Sequence, residues 1–156
     1  MLYDTGARRA EILNMRVDDL DTRSGTIDVT GKGSRPRTIA YGNSTAVDLD
    51  RYLRVRGKHP RAATDWLWLS QNGQLSASAF AQMLHKRGAE AGIGPVHPHQ
   101  FRHSFAHAWL AQGGQEQDLM RLAGWRSRTM LNRYGASAAA ERARNAHRIY
   151  SPRDQL

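Results

Sequence analysis

Hydrophobic positions recur every three or four residues over most of the chain, which is the pattern of helices that bury one face. The exception is residues 25–41, GTIDVTGKGSRPRTIAY, where apolar and polar residues alternate on either side of a Gly-Lys-Gly turn and predict a β-hairpin. A second extended segment, WLWL at residues 66–69, ends near an Asn-Gly turn. The predicted fold class is therefore mainly α with a small antiparallel β-sheet near the front of the chain, an α+β arrangement.

Capping residues and glycines set the predicted helix boundaries. The helices are expected from Arg8 to Met15, Asn43 or Ser44 to Arg56, Ser76 or Ser78 to Ala91, His99 to Gln112, Glu116 to Ala123, Arg128 to Tyr134 and Ser137 to Tyr150. Gly6 is expected to be the C-terminal glycine of an earlier helix, but fewer residues precede it than an isolated helix needs. The sequence therefore predicts that upstream residues are missing from this chain.

The length and composition suit one globular domain. With 156 residues, 40% of them hydrophobic, the chain can form one core of ordinary size. It has no apolar run near the roughly 20 residues that span a bilayer, and no charged segment followed by the apolar core of a signal peptide. It has no cysteine, which excludes disulfides and thiolate metal sites. These features predict a soluble cytoplasmic protein that makes no use of a membrane.

The charge adds a candidate partner to this picture. The formal net charge is +9, from 23 Lys plus Arg against 14 Asp plus Glu, and a polyanion is the natural partner of such a chain. The excess is concentrated in the segment that begins at Arg121, which holds eight arginines and only Glu141 and Asp154 as acids. Nucleic-acid binding is one interpretation of this segment, and a solvated basic surface is the other.

The segment HPHQFRHSFAH carries the first candidate chemistry. His99 and Arg102 are three residues apart, which places them on one face of the predicted helix. Metal binding is the alternative, because His99, His103 and His107 recur at i, i+4 and i+8. The HExxH glutamate, cysteines and nearby carboxylates that would complete such a site are absent, so the sequence disfavours a metal.

Three further segments hold basic or aromatic candidates. Lys32 lies between two glycines in TGKGSRPR, followed by Arg35 and Arg37; the spacing is not that of a phosphate-binding P-loop, and a solvated hairpin tip is the simpler interpretation. Arg8 follows a glycine turn at the head of a helix in TGARRAEI. GWRSRTMLNRYG, residues 124–135, sets Trp125 and Tyr134 among three arginines with no acid, although a lone tyrosine is usually a half-buried core residue.

Taken together, these residues form a recognisable series. Their motifs, TGARRAEI, GKGSRPR, HQFRHSFA, LAGW and RYG, resemble in order and spacing the active-site motifs of the tyrosine recombinases, also called phage integrases, including Xer-like bacterial enzymes. The matching residues are Arg8, Lys32, His99, Arg102, Trp125 and Tyr134. The resemblance runs from Thr5 to Gly135. It implies that residues 1–156 are the catalytic domain of such an enzyme, truncated at the N-terminus and without the upstream DNA-binding domain of the family.

The resemblance implies a covalent mechanism of DNA breakage and rejoining. Tyr134 would be the nucleophile and would form a 3′-phosphotyrosyl intermediate. Arg8 and Arg102 would neutralise the phosphate oxygens, since a guanidinium fork matches phosphate geometry. Because a phenol is protonated at neutral pH, a base must accept its proton, and His99 is the candidate. By analogy with the family, Lys32 would protonate the leaving 5′-oxygen. No metal and no other cofactor is expected.

Other residues receive smaller roles from the same resemblance. Many family members carry histidine at the position of Trp125, and an indole can donate a hydrogen bond or brace a helix but cannot shuttle protons. Glu11 is expected to pair or cap locally, and His103 to support the site. The residues expected to contact DNA are Arg35, Arg37, Arg126, Arg128 and Arg133.

The expected partner is double-stranded DNA, bound by a homo-oligomer that the family suggests is a tetramer. Three alternatives remain open from the sequence. A type IB topoisomerase uses a similar site to relax DNA without exchanging strands. The chain could also be a DNA-binding fragment with little catalytic activity. A non-enzymatic helical module that binds metal is the most distant alternative.

Overall fold

The computed structural model confirms a mainly helical fold with small antiparallel sheets. It describes residues 1–30, 36–151 and 153, and within the last helix the side chains at 132–138, 140–142 and 145 lie outside that description. In chain order the elements are α1 (Leu2–Thr5), α2 (Arg9–Leu13), β1 (Leu20–Asp21), β2 (Thr26–Val29), β3 (Arg37–Ala40), α3 (Asn43–Arg56), β4 (Leu69–Ser70), β5 (Gly73–Gln74), α4 (Ala77–Glu90), α5 (Pro98–Ala111), α6 (Glu116–Ala123) and α7 (Arg128–Ile149).

The larger sheet contains the predicted hairpin. Its strand order is β1-β2-β3, all antiparallel, and Ile27 faces Ile39 across the central pair. Both isoleucines are buried, whereas Asp28 and Thr38 lie on the solvent face, where the Thr38 hydroxyl donates to Asp28 at 2.6 Å. The alternation in the sequence therefore sets the register. The hairpin tip, residues 31–35, lies outside the described residues.

Local caps explain where two of the long helices begin. The Ser76 hydroxyl accepts a hydrogen bond from the Ala79 N–H at 3.1 Å, which confirms one of the two predicted caps of α4. Helix α5 begins at Pro98, whose fixed φ suits the first helical position and whose missing N–H costs nothing there. The Gln100 side chain accepts from the His97 N–H at 2.6 Å and closes that end of the helix. These contacts fix the start of α5, where the site lies.

Two hydrophobic clusters hold the elements together. The first joins α2, the larger sheet, α3 and α4 around Met15, Ile27 and Leu67, and the second joins α5, α6 and α7 around Leu110 and Leu119. Gly6, at the end of α1, lies against the ring of Phe105 in α5 with a φ of 60°, and a Cβ there would collide with that ring. Only glycine lets the chain before α2 lie this close to α5.

Helix α7 differs from the sequence prediction. Two helices, Arg128 to Tyr134 and Ser137 to Tyr150, were expected, with a break at Gly135, but one helix runs continuously from Arg128 to Ile149. A glycine inside a helix costs only about 1 kcal/mol relative to alanine, and the alanines that follow favour the helix. The predicted helix from Arg8 to Met15 is also shorter, Arg9–Leu13, and β1 was not predicted. The helix end expected at Gly6 is confirmed, since Gly6 caps α1 with a left-handed backbone.

Among the described residues, no helix is both long enough and apolar enough to cross a membrane.

Candidate active site

Two adjoining pockets lie where α2, α5 and α7 meet. The first has a volume of about 480 Å³ and the second about 950 Å³, and Arg8 and Met130 line both of them. The first is also lined by His97, His99 and Arg102 from the start of α5. The second is bordered by Arg37, Trp125 and other residues of the segments before β3 and after α6. Of the predicted site residues, Arg128 lines neither pocket; those that line one or both are Arg8, Arg37, His99, Arg102, Trp125 and Arg126.

Arg8 lies at the head of α2, where its backbone has an extended conformation. Its Nη1 donates to Glu11 Oε1 at 2.8 Å, and its Nη2 donates to the backbone carbonyl of Gly124 at 3.0 Å. The Arg8 N–H donates to the other carboxylate oxygen of Glu11 at 2.7 Å. The side chain is still 38% exposed, so the guanidinium is held by protein acceptors on one side and faces the pockets on the other.

Glu11 is the buried anion beneath this arginine. Its side chain is fully buried, and besides Arg8 it accepts two hydrogen bonds from the guanidinium of Arg37, at 2.5 Å and 3.0 Å. Burial by itself raises the pKa of Glu11, but the hydrogen bonds from Arg37 and Arg8 outweigh it and bring the pKa from its usual 4.5 to about 2. The predicted local pairing of Glu11 is confirmed, and the carboxylate is charged at neutral pH.

Arg102 is nearly inaccessible to solvent, with 4% of its surface exposed. It donates from Nη1 to the carbonyl of Gly6 and from Nη2 to the carbonyl of Ala123. The face of the Trp125 ring lies against the guanidinium, with the Arg102 Cζ 5.3 Å from the ring centroid. Burial in this setting fixes the guanidinium at the floor of the first pocket.

The turn that receives both arginines ends α6. Gly124 has a left-handed backbone, with φ 62° and ψ 43°, and donates to the carbonyl of Arg121, while the Trp125 N–H donates to the carbonyl of Met120 at 2.9 Å. This is a Schellman ending, which leaves the Ala123 and Gly124 carbonyls facing the arginines. Trp125 is 6% exposed and packs in the second hydrophobic cluster.

Two histidines lie at the mouth of the first pocket. His99 is exposed in the first turn of α5, on the same face as Arg102, as the spacing predicted. Sequence reasoning missed His97, which caps α5 and lines the same pocket; its place directly before a helix-starting proline was the available signal. Its ring meets that of His85 edge to face, with centroids 5.0 Å apart.

The predicted DNA contacts fall into three groups. Arg126 and Arg128 are exposed, and Arg126 lines the second pocket. Arg37 is only 13% exposed, because Nε donates to the carbonyl of Leu122 at 3.0 Å and the two terminal nitrogens bind Glu11. Arg35 lies outside the described residues, as does Lys32, the predicted proton donor.

Helix α7 carries two of the predicted residues, Tyr134 and Arg133, and their side chains lie outside the description. The metal alternative rested on His99, His103 and His107. Among the side chains that the structure describes, no three histidines, aspartates or glutamates group as a metal ion would need.

The fold is that of recombinase catalytic domains. The structure superposes on the crystal structure of XerA recombinase with a TM-score of 0.84 and 28% identity, over 93% of this chain and 55% of that one. It also superposes on XerH site-specific recombinase bound to palindromic difH substrate, with a TM-score of 0.73, over 85% of this chain and 39% of that one. At 24% identity, the second likeness concerns the fold alone.

Sequence similarity gives the family. Residues 1–141 match the sequence model of the phage integrase family, and the chain belongs to that family. It is 36% identical over 143 residues to tyrosine recombinase XerD of Mycobacterium leprae, covering 86% of this chain and 45% of that protein. It is 32% identical over 138 residues to tyrosine recombinase XerC of Staphylococcus carnosus, covering 86% of this chain and 46% of that protein. The chain thus spans about half the length of the curated relatives it matches.

Proposed function

We propose that residues 1–156 are the catalytic domain of a site-specific tyrosine recombinase, which cuts and rejoins DNA through a covalent 3′-phosphotyrosyl intermediate. The observation that carries this proposal is the joint anchoring of Arg8 and Arg102 on the Ala123–Gly124 turn, next to His99 in one pocket. Two fixed guanidinium groups beside an imidazole form a receptor for a phosphodiester. Membership of the phage integrase family supports the same chemistry.

The two arginines address the main obstacle to the reaction. A phosphodiester repels nucleophiles because its oxygens are anionic, and negative charge on them grows in the transition state. Arg8 and Arg102 are already held in place by backbone carbonyls and Glu11, so they can neutralise this charge without reorganising during the reaction. Fixed cations thus supply the electrostatic stabilisation, and the scheme uses no metal ion or cofactor.

Tyr134 is the proposed nucleophile. Its oxygen attacks phosphorus as the bond from phosphorus to the 5′-oxygen breaks, and the reverse attack by a 5′-hydroxyl rejoins a strand without an external energy source. His99 accepts the phenol proton, and Lys32 gives a proton to the leaving 5′-oxygen. The position of residue 134 supports this assignment, because it follows Met130 by one turn of α7 and Met130 lines both pockets.

Trp125 has a different part in this scheme. Its ring covers the face of the Arg102 guanidinium, and an indole carries one N–H donor and no group that exchanges protons near neutral pH. Trp125 therefore orients Arg102 or donates to a phosphate oxygen, and proton transfer stays with His99 and Lys32.

Double-stranded DNA is the proposed partner, bound by a tetramer of this protein. The net charge of +9 and the exposed Arg126 and Arg128 beside the second pocket suit a phosphate backbone. We extend the same role to Arg35 and Arg133. A solved relative, XerH, is bound to DNA described as its difH substrate, which supports DNA as the partner here.

Covalent trapping tests the proposal without knowledge of the target sequence. The native chain is incubated with a pool of nicked duplexes that carry a randomised central region, so that a short fragment diffuses away after cleavage and religation is prevented. We expect SDS-stable protein–DNA adducts, attached through a 3′-phosphate, whose recovered sequences converge on one site. Tyr134→Phe is expected to give none, whereas Tyr150→Phe, a change at an exposed tyrosine after α7, is expected to match the native chain.

Two results would count against the proposal. The first is absence of adduct from the native chain across the pool. The second is an equal yield of adduct from Tyr134→Phe. If adducts form, the recovered site is placed twice in a supercoiled plasmid. Excision or inversion of the segment between the two sites supports recombination. Relaxation of the supercoils without either product would indicate a topoisomerase-like enzyme.

A further inference from the structure

Arg37, which borders the second pocket, has hydrogen-bond acceptors within the protein for its whole guanidinium group. Its Nε donates to the carbonyl of Leu122 at 3.0 Å, and its two terminal nitrogens bind the two carboxylate oxygens of Glu11, at 2.5 Å and 3.0 Å. All three nitrogens of the guanidinium therefore have acceptors within the protein. Such a planar two-point pairing with a carboxylate is a geometry that lysine cannot reproduce.

The partners of Arg37 are the same groups that hold Arg8. Glu11 receives Arg37 on both oxygens and also receives the Arg8 side chain and the Arg8 backbone N–H. Gly124, whose carbonyl accepts from Arg8, lies directly against Arg37: a Cβ on Gly124 would lie 3.2 Å from the Arg37 Cζ. Arg37 thus contacts both anchors of Arg8, the buried carboxylate and the turn after α6.

The charge of the buried Glu11 carboxylate also indicates that Arg37 supports Arg8. Glu11 is fully buried, and a buried carboxylate without cationic partners would be costly and would tend to take up a proton. Arg37 is the more buried of its two partners, 13% exposed against 38% for Arg8. With Arg37 in place, Glu11 remains an anion that can hold Arg8, while Arg8 keeps a face toward the pockets.

We propose that Arg37 is a positioning residue, which holds Glu11 and the Gly124 turn so that Arg8 is presented to the phosphate, and that it does this without contacting DNA. This inference rests on the proposed function for the role of Arg8. It replaces the DNA contact that the sequence suggested for Arg37. Because Arg37 begins β3, directly after the hairpin tip, the same contacts tie the strand that follows Lys32 to the anchors of Arg8.

The salt dependence of DNA binding separates the two roles. The logarithm of the DNA-binding constant falls linearly with the logarithm of the salt concentration. Removing one phosphate contact reduces the magnitude of this slope by about 0.9. In an Arg8→Gln background, where residue 8 can no longer bind a phosphate, we expect Arg37→Gln to leave the slope unchanged, and Arg126→Gln, at an exposed position, to reduce it by about 0.9. Arg54→Gln is the matched control, since Arg54 is exposed and pairs with Asp50 on α3. A slope reduced by Arg37→Gln in that background would overturn the proposal.

A double-substitution cycle tests whether Arg37 acts through Arg8. The single-turnover rate of adduct formation is measured for Arg37→Gln, Arg8→Lys and the double variant, with thermal melting to verify that each is folded. A misplaced catalytic group can cost about 100-fold in rate, and we expect a loss of this size for Arg37→Gln. In the Arg8→Lys background the same change is expected to cost less than about threefold, because coupled residues are not additive. Fully multiplicative losses would contradict the proposal.

Arg37→Lys is a second variant that keeps the proposal testable if Arg37→Gln does not fold. It keeps the positive charge beside Glu11 but loses the two-point pairing. We expect a rate close to that of Arg37→Gln, with the melting temperature nearer that of the native chain. A native rate for Arg37→Lys would show that charge alone suffices and would overturn the positioning role.

A measurement that needs no cleavage keeps this inference separate from the proposed function. In side-chain NMR spectra of the native chain, the Arg8 guanidinium is expected to show slow rotation about its Cζ–N bonds, since Glu11 and Gly124 hold it. Arg37→Gln is expected to release this rotation, whereas Arg54→Gln leaves it unchanged. Unchanged rotation in Arg37→Gln defeats the Arg37 inference even if the chain cleaves DNA. Absence of adduct from the native chain defeats the proposed function and leaves the NMR result to decide the role of Arg37.

Discussion

Arg8 and Arg102 donate hydrogen bonds to the carbonyl oxygens of two consecutive residues, Gly124 and Ala123. The two arginines are distant in sequence: Arg8 lies at the head of α2, and Arg102 lies in α5. Because their acceptor carbonyls belong to adjacent residues, one peptide unit sets the distance between the two guanidinium groups. A single turn after α6 therefore aligns both cations of the proposed phosphate site. A change that distorts this turn should therefore displace both arginines and lower the activity.

Gly124→Ala tests the turn directly. A left-handed alanine costs about 1–2 kcal/mol, and its Cβ would also press on Arg37 at 3.2 Å. We expect a lower melting temperature together with loss of adduct formation. Gly92→Ala is the matched control, because Gly92 has a φ of 71° and open space around its Cβ position. It should lose similar stability and keep cleavage; equal losses of cleavage in both would show that strain alone explains the effect.

Glu11 should make stability depend on pH in the acid range. Its pKa is lowered from 4.5 to about 2 in the folded chain, because hydrogen bonds from Arg37 and Arg8 outweigh the opposing effect of burial. A lowered folded pKa gives stability that is complete above pH 4.5 and is lost as the pH falls toward 2. The shift corresponds to stabilisation on the order of 3 kcal/mol.

Urea unfolding between pH 7 and pH 3 measures this contribution. Glu11→Gln is expected to lose stability at pH 7 and to flatten the profile below pH 4.5. Glu90→Gln, at an exposed surface pair with Arg87, should change the unfolding free energy by less than about 1 kcal/mol. A profile for Glu11→Gln that parallels the native one would contradict the assignment.

Arg102→Lys should separate charge from geometry at the pocket floor. A lysine ammonium keeps the charge but cannot span the carbonyls of Gly6 and Ala123 in the fixed geometry of a guanidinium. We expect the adduct rate to fall by about 100-fold or more. Arg87→Lys, at an exposed position in α4, is the control and should leave the rate unchanged. A native rate for Arg102→Lys would show that the two-point geometry of a guanidinium is not required at this position.

Trp125→Phe examines the ring that covers Arg102. Phenylalanine keeps an aromatic face for the guanidinium and loses the indole N–H. We expect a reduced adduct rate with the same pH profile as the native chain, because indole supplies no titrating proton. Trp125→Ala should also destabilise the fold, by about 3–5 kcal/mol, since the side chain is buried. A displaced pH profile in Trp125→Phe would implicate Trp125 in proton transfer.

The sequence predicted the fold where local signals were strong. The alternation around Ile27 and Ile39 determined the hairpin, and the cap at Ser76 and the proline at Pro98 located two helices to within a residue or two. The break at Gly135 was wrong, because helix propensity around a glycine depends on its neighbours and on packing against α5. The two-residue strand β1 forms only by pairing with β2, which the sequence pattern does not show.

For the candidate site, the sequence indicated residues that belong together, but not the hydrogen bonds that join them. Motif order brought Arg8, His99 and Arg102 into one prediction, and the structure places them around one pocket. The sharing of Glu11 between Arg8 and Arg37 could not be inferred, since it depends on the meeting of α2 with β3. His97 differs from this network, because its place directly before the helix-starting Pro98 was a usable signal in the sequence.

The most direct test of the central proposal is to identify the amino acid that carries DNA. Trapped adducts are digested with nuclease and protease, and the peptide that bears a nucleotide is sequenced by mass spectrometry. The chain has five tyrosines, so the assignment is specific. The account predicts a nucleotide linked through its 3′-phosphate to Tyr134; a nucleotide on any other residue, or none, would contradict it.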